Sequence, residues 1–422
     1  MNNTFYIYTL GCKLNFAESS ALVRRFNEFG WKQTRVIADA SLIIVHSCAV
    51  TQTAEKKTRQ LISKYMRQNS QAAMVITGCM ADVNVESLDK MNDGRRFLIV
   101  NNVQKMQIPD LIAGKPDYRT ENIDFSGAYS LEQRTRSFLK IQDGCDYYCT
   151  YCTVPYARGH SRSNSIEGVL ADISDIIIKG FKEINLTGVN IATFGQERNE
   201  TFFQLLDAID KRFSDIRIRL GSNEPDLLSN ETIELVSTSN ILMPHFHVPL
   251  QSGTDSVLKR MHRHYNTDLF RSKVELIKQR MPFACIAADV ITGFPGETVA
   301  EFEETCRFIE SLDISYLHVF PYSDRPLAKA SQYPDHVDSH EIRQRVNRLL
   351  ELGQQKQEAF FRSNLGYVRP MLTEATIKDN LRFGFTDNYI KCALPAIDVG
   401  ENIVLDVKLT ALSKDMQYIL AY

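Results

Sequence analysis

The chain has 422 residues, 44% hydrophobic and 24% charged, with 49 Lys and Arg against 51 Asp and Glu for a formal net charge of −2. That length exceeds one small domain and predicts two or three. The composition excludes a low-complexity or disordered chain. A near-neutral balance excludes a uniformly basic nucleic-acid binder, so any such site must be a local patch.

The first residues, MNNTFYIYTLGCKLN, do not pair a basic segment with an apolar one, and no stretch reaches eighteen consecutive apolar residues. Neither a secretory leader nor a membrane span is expected, and the expected compartment is cytoplasmic. There, nine cysteines do not make a disulfide framework.

Residues 1–120 alternate apolar runs (FYIYTL, SLIIVHS, MVITG) with segments of helical periodicity (FAESSALVRRFNEFG, AEKKTRQLISKYMRQ). That rhythm predicts a parallel α/β sheet. Cys12, Cys48 and Cys79 each follow one of its strands. The carboxyl ends of parallel strands open on one edge, so these three thiols can converge although far apart in sequence. Residues 121–135 are polar and aperiodic and read as a linker.

From 136 to 365 a second βα series runs: SFLKIQDGC, a helix near 166–178, EINLTGVN, a helix near 201–212, RIRLGSNEP, HFHVPLQSG, CIAADVITGFPGE and YLHVFPYS. About six units predict a partial barrel, short of the full eight-fold one. Residues 338–364 read as one or two polar helices. Residues 366–422 read as a small all-β domain, a barrel or OB-like module. That region carries six Lys and Arg against seven Asp and Glu, which is acidic for a phosphate binder. Its Phe383, Phe385 and Tyr389 could stack bases or fill its core.

Within DGCDYYCTYC, Cys145, Cys149 and Cys152 stand as C-x3-C-x2-C. Soft thiolates suit zinc or an iron–sulfur cluster. A structural zinc site closes with four ligands, and the nearest conceivable fourth is His160, eight residues on in an Arg-rich stretch. Three thiolates on a four-iron cluster leave one iron open to a substrate, and Tyr148 and Tyr151 would shield it. Cys285, Cys306 and Cys392 sit in apolar or helical runs and read as core thiols.

The C-x3-C-x2-C motif resembles that of the radical S-adenosylmethionine (SAM) superfamily. Together, TLGCKLN, HSCAVT, TGC, DGCDYYCTYCTVPYARGHSRS, LTGVN, VPLQSG, ITGFPGET and VFPYSDRP resemble its methylthiotransferases over nearly the whole chain. The resemblance implies an N-terminal methylthiotransferase domain at 1–120, a radical SAM barrel at 136–365 and a TRAM domain at 366–422. It implies two 4Fe-4S clusters, one on Cys145, Cys149 and Cys152 and an auxiliary one on Cys12, Cys48 and Cys79. SAM would chelate the open iron of the first cluster and be cleaved to a radical that takes hydrogen from an adenine carbon. The second cluster would hold or supply the sulfur, which another SAM methylates. Expected SAM contacts are Tyr151 beside the cluster, and Gly188, Gln251, Thr292 and Gly293 at the carboxyl ends of barrel strands.

The family has branches acting on isopentenyl-adenosine in tRNA, on threonylcarbamoyl-adenosine in tRNA, and on an aspartate of a ribosomal protein. Lys13-Leu14-Asn15 after Cys12 resembles the threonylcarbamoyl branch. The implied partners are tRNA and a reductant such as flavodoxin or ferredoxin, with the chain expected to be monomeric. Arg134, Arg136, Lys140, Arg158, Arg162, Lys259, Arg260 and Arg263 are candidate phosphate contacts. Two departures stand out. His46-Ser47-Cys48 replaces the usual Asn-Thr-Cys, and Leu327-Ala328 replaces Gly-Thr, a change that matters if the backbone there needs positive φ.

Overall fold

The computed structural model describes residues 3–49, 51–92, 94, 97–114, 125–131, 135–397 and 399–422. Residues 115–124 and 132–134, with part of the expected linker, the end of the expected N-terminal domain and Arg134, lie outside the described residues.

Strands β1 (Thr4–Thr9), β2 (Lys32–Gln33), β3 (Leu42–Ser47), β4 (Ala73–Gly78) and β5 (Phe97–Val100) form an all-parallel sheet in the order β2-β1-β3-β4-β5. Interspersed with them are α1 (Lys13–Glu28), α2 (Gln52–Gln68), α3 (Cys79–Val83) and α4 (Val85–Asp89), and α5 (Ile108–Ile112) follows. All six residues of β3 are buried, as a central parallel strand covered on both faces requires. Ile43 and Val45 pack with Ile62 and Met66 of α2, while Leu42 and Ile44 pack with Leu22 and Phe26 of α1.

The middle of the chain begins with β6 (Ala128–Tyr129), β7 (Arg136–Lys140), β8 (Gln142–Asp143) and β9 (Arg162–Ser163). It continues with β10 (Glu183–Thr187), β11 (Arg217–Arg219), β12 (His245–His247), β13 (Cys285–Thr292) and β14 (Tyr316–Pro321). Six of these run parallel in the order β7-β10-β11 and β12-β13-β14. The parallel bridges Ile218↔Leu242 and Ser222↔His247 join the two halves. This is the expected partial (βα)6 barrel. Its helices are α6 (Val154–Arg158), α7 (Ile166–Ile178), α8 (Phe202–Arg212), α9 (Asn230–Thr238), α10 (Asp255–Arg260), α11 (Thr267–Arg280) and α12 (Val299–Glu310). Helix α8 starts at 202 because Thr201 is its cap, in a capping box with Gln204. The polar stretch at 338–364 is a single helix, α13 (Ser339–Ser363), whose Leu349 and Leu352 join the barrel core.

The strand alternation sorts this barrel into two environments. Ile184, Leu186, Ile218, Phe246, Ile286, Ala288 and Val290 belong to the apolar core. The alternate positions, Glu183, Asn185, Arg217, Arg219, His245, His247, Asp289, Tyr316 and His318, give the opposite face, the lumen, a polar lining. The barrel's open edge lies beside β7 and β6, where Ala17 and Ala21 of α1 pack on Phe138 and Ala128.

The C-terminal strands β15 (Val368–Lys378), β16 (Leu381–Thr386), β17 (Lys391–Pro395), β18 (Val404–Leu412) and β19 (Ile419–Ala421) close into a barrel in the order β15-β16-β17-β19-β18. Its β16–β17 turn plugs the amino-terminal end of the larger barrel. Arg217 donates to the Thr386 carbonyl at 2.8 Å and Arg219 to the Asp387 carbonyl at 2.8 Å. Asn388 donates to the Phe283 carbonyl at 2.8 Å, and the Tyr389 ring lies 4.6 Å from that of His245. Tyr389 is thus part of this floor, and Phe383 is buried. Half-buried Phe385 stacks on Tyr389 at 4.9 Å beneath the Arg136 guanidinium. Among the described residues no helix is long and apolar enough to cross a membrane.

Candidate active site

The loop after β8 carries Cys145, Cys149 and Cys152. Gly144 starts it at φ 72°, and a Cβ there would stand 1.9 Å from the His160 carbonyl oxygen, so only glycine fits. The Cys145 amide donates to the Gly159 carbonyl at 3.0 Å, and the Cys152 amide to Cys149 at 3.0 Å. Thr150 is pinned to the carboxyl end of α10 through the carbonyls of Arg260 and Met261. His160 is exposed and bonds Asp146 at 2.7 Å, turned to solvent and not inward as a fourth ligand.

Burial pushes the Cys145 thiol up to about 11 and the Cys152 thiol up to about 12, with the charge of Cys149 adding to both. Bare, these thiols hold their protons, and a metal must displace them. Arg263 supplies the counter-charge. It is buried and donates to Cys149 Sγ at 2.9 Å and to Tyr151 Oη at 3.4 Å, and it pairs with Glu224. Burial raises the Glu224 carboxyl to about 7, against the pull of Arg263.

Cys12, Cys48 and Cys79 stand at the carboxyl ends of β1, β3 and β4, which the register holds level through Thr9↔His46, His46↔Thr77 and Ser47↔Gly78. Gly11 is at φ 107°, and a Cβ there would meet Cys48 Sγ at 3.2 Å, which sets Cys48 beside the Gly11-Cys12 turn. Cys79 is close enough for Cys12 to oppose its ionisation, though burial dominates. The register therefore puts the three thiols on one carboxyl edge of the sheet.

Helix α6 joins the two sets. It begins two residues after Cys152, and its Ala157 packs with Cys79, Met80 and Ala81. Its last residue, Arg158, donates to Asn15 Oδ1 at 2.7 Å, Asp143 Oδ1 at 2.8 Å and Glu18 Oε2 at 3.2 Å. Glu18 also meets Lys105 at 2.5 Å and Lys140 at 2.8 Å. Three buried cations thus face two buried carboxylates, and burial holds neighbouring His46 neutral, lowered to about 3. The surplus positive charge abuts Cys79 and Cys12. A buried surplus charge needs a counter-charge, and thiolate-bound iron–sulfur carries one. The donor set and the charge both fit that group.

The expected SAM contacts fare unequally. Tyr151 is half-buried beside Val257, Met261 and Phe294. Gln251 sits at φ 62°, and its buried Oε1 has no partner. The room that Gly188 provides is taken by Gln142, whose Oε1 accepts from the amides of Val189 and Asn190. Thr292 Oγ1 and the Gly293 amide both donate to Glu297, itself bound to Arg345. Their polar groups are spent on holding the loop. Unpartnered buried atoms on Asn190 and Asn223, near the same rim, were missed by the sequence. Only the strand-end position of Asn190, in LTGVN, could have pointed to it.

Of the phosphate candidates, Lys140, Arg158 and Arg263 are buried in ionic contacts and offer nothing to a phosphate. Arg136, Arg162 and Arg260 pair with Glu374, Asp143 and Glu301. Lys259 is exposed and lines a cavity of about 610 Å³ with Tyr148, Cys149, Cys152 and Lys329. Neither Leu327 nor Ala328 has positive φ, so the missing glycine causes no strain. Cys285, Cys306 and Cys392 are buried core thiols.

A partial parallel barrel with three cysteines in its first loop defines a radical SAM protein. The Radical SAM superfamily model matches residues 139–309, and that of Uncharacterized protein family UPF0004 matches 4–99. The radical S-adenosylmethionine methyltransferase TsrM of Kitasatospora setae shares the fold, with a TM-score of 0.56 at 13% identity over 76% of this chain and 75% of that one. Threonylcarbamoyladenosine tRNA methylthiotransferase MtaB of Bacillus subtilis is 33% identical over 96% of this chain and 93% of its own. The tRNA-2-methylthio-N(6)-dimethylallyladenosine synthase of Protochlamydia amoebophila is 32% identical over 82% of this chain and 80% of its own. The chain belongs to the radical SAM methylthiotransferase family and is of the MtaB type.

Proposed function

We propose that this enzyme methylthiolates threonylcarbamoyl-adenosine in tRNA at a carbon of the adenine ring, using two 4Fe-4S clusters and SAM. The observation that carries the reading is the pair of three-thiol sets on either side of α6, with the Arg158 charge cluster between them. One set borders the lumen of a SAM-type barrel, and the other ends a separate parallel sheet. Cys145, Cys149 and Cys152 hold the first cluster, and Cys12, Cys48 and Cys79 the auxiliary one. A 4Fe-4S cluster on Cys145, Cys149 and Cys152 would have one iron without a protein ligand, open to SAM, and when reduced would supply the electron for its cleavage.

The chain's residues do the rest. Arg263 balances the Cys149 thiolate. Gln251 offers its unpartnered Oε1 and Tyr151 its ring edge to SAM. Arg158 and Lys105 balance the auxiliary thiolates. Residues 1–120 form the sulfur-donor unit, 136–365 the barrel and 366–422 a TRAM unit that docks tRNA. A small electron-transfer protein of the flavodoxin or ferredoxin class feeds the first cluster, and the enzyme works as a monomer in the cytoplasm.

The test is anaerobic reconstitution with iron and sulfide, then reaction with SAM and tRNA carrying threonylcarbamoyl-adenosine, with the nucleosides weighed. The expected result is gain of one methylthio group and about eight irons per chain, falling to about four in Cys149→Ala or in Cys79→Ala. Modification of isopentenyl-adenosine tRNA instead, or unchanged iron in either variant, would overturn the reading.

A further inference from the structure

We infer that the cavity between Lys259 and Lys329, beside the first cysteine loop, docks an acidic flavoprotein of the flavodoxin class, which delivers the electron to the cluster held there. The inference rests on the reaction proposed above and deepens it by giving the electron its point of entry.

The cavity, of about 610 Å³, has Cys149 and Cys152 in its wall. No residue of 1–120 lines it, and neither do Asn190, Asn223 or Gln251 of the lumen rim. It is therefore an approach to the first thiol set alone, separate from the lumen.

One residue ties this surface to the thiols. Thr150 stands between Cys149 and Cys152, and its carbonyl accepts from the Ala330 amide at 2.8 Å. Its amide donates to the Met261 carbonyl at 3.1 Å and its hydroxyl to the Arg260 carbonyl at 2.9 Å. The end of α10 and the turn at Lys329–Gln332 are thereby both fixed to the cysteine loop.

Those two segments carry the charge. Lys259, Arg260, His262 and Lys329 line the cavity, and among the described residues no carboxylate does. Arg260 is paired with Glu301. Lys259 and Lys329 are exposed and have no carboxylate partner among the described residues. A surface of one sign steers in a partner of the other, most strongly at low salt.

Two rings complete the rim. Tyr148 and Tyr156 are 45% and 51% exposed and stand edge to face at 6.1 Å. Tyr148 is held at φ 48°, a region that bulky side chains rarely enter. Exposed tyrosine rings beside a cavity suit a flat aromatic edge, which a flavin presents. Electron transfer weakens exponentially with distance, and a partner seated here meets the walls of the thiol set it serves. In the step, the fully reduced, anionic flavin gives up one electron and keeps its proton. The oxidised cluster gains that electron, and no bond forms or breaks. An RNA backbone is anionic too, but the target base has to reach both thiol sets, and this cavity reaches one.

The test uses the reconstituted holoenzyme and a bacterial flavodoxin, fully reduced beforehand and freed of its reductant. Bleaching of the clusters and formation of deoxyadenosine from SAM are followed. At low salt the wild type should react about tenfold or more faster than the double variant Lys259→Glu, Lys329→Glu, and the gap should shrink at about 0.3 M salt. The double variant Lys259→Arg, Lys329→Arg should stay within about twofold of the wild type. With excess dithionite, which needs no docking, all three proteins should modify threonylcarbamoyl RNA at rates within about twofold and with the same KM for RNA. Iron content checks that the clusters are loaded. If the wild type leaves that RNA unmodified with dithionite, the proposed function falls. If dithionite works but flavodoxin reduces the wild type no faster than the charge-reversed variant, or not at all, this inference alone falls. A KM for RNA that rises in the charge-reversed variant under dithionite would also overturn it, by giving the surface to RNA.

Discussion

Glu183→Gln should loosen the joint between the two barrels while leaving both thiol sets untouched. Glu183 is fully buried at the start of β10. Arg219 grips it at 3.1 and 2.9 Å, Arg217 lies 3.0 Å away and Arg136 lies 3.9 Å away. The same Arg217 and Arg219 hold the carbonyls of the plugging β16–β17 turn. Burial pushes the Glu183 carboxyl up, but the three guanidinium groups outweigh it and the net value falls to about 2 from an ordinary 4.5. At about 1.4 kcal/mol per unit, that shift corresponds to roughly 3 kcal/mol at neutral pH. Breaking one partner out of a buried ion set costs about 3–5 kcal/mol, which agrees.

The assay is amide hydrogen exchange in β15, β16 and β17, because a chain with several cores has no single two-state unfolding energy. Protection there should drop roughly 100-fold in Glu183→Gln. Because the folded value is depressed, the stabilisation is complete above about pH 4.5 and is lost as pH falls toward 2. The gap between variant and wild type must therefore narrow over that window. Unchanged protection, or a gap that stays constant down to about pH 3, would refute the account.

Glu18→Gln, which leaves Lys105, Lys140 and Arg158 facing Asp143 alone, should lower amide protection in β1, β3 and β4 by roughly 100–1,000-fold, the counterpart of about 3–5 kcal/mol. Adding Lys105→Met should recover part of that loss, and a double-mutant cycle measures how much. Gly144→Ala puts a methyl group against the His160 carbonyl, so it should abolish iron at the first site while the Cys12, Cys48 and Cys79 site still loads, as read by iron counts after reconstitution. Arg263→Met removes the cation from Cys149 and should raise iron loss from that site to a chelator by about 10–100-fold, with Arg263→Lys in between.

The sequence by itself determined the elements and the chemistry-bearing residues. The six barrel strands, α7 and the C-terminal strands follow from periodicity, which is local. Cys145, Cys149 and Cys152 stand within one loop, so their nearness is local and visible in the spacing. The strand-end positions of Cys12, Cys48 and Cys79 place them on one edge of the sheet, because parallel strands share one carboxyl edge.

Tertiary structure decided what each charge is for. Arg158, Lys140 and Arg263 look in sequence like surface cations, yet each is buried against carboxylates or a thiol. Thr292 and Gly293 end a strand as a ligand site would, but Glu297 from the next turn takes their donors. Tyr389 resembles a base-stacking ring and instead floors another domain's barrel. His247, Asp289 and His318 are spread over more than seventy residues and meet only because β12, β13 and β14 lie side by side with alternate residues facing the lumen. The partner of a charge is set by distance in space, and periodicity carries no information about which strand will stand next to which.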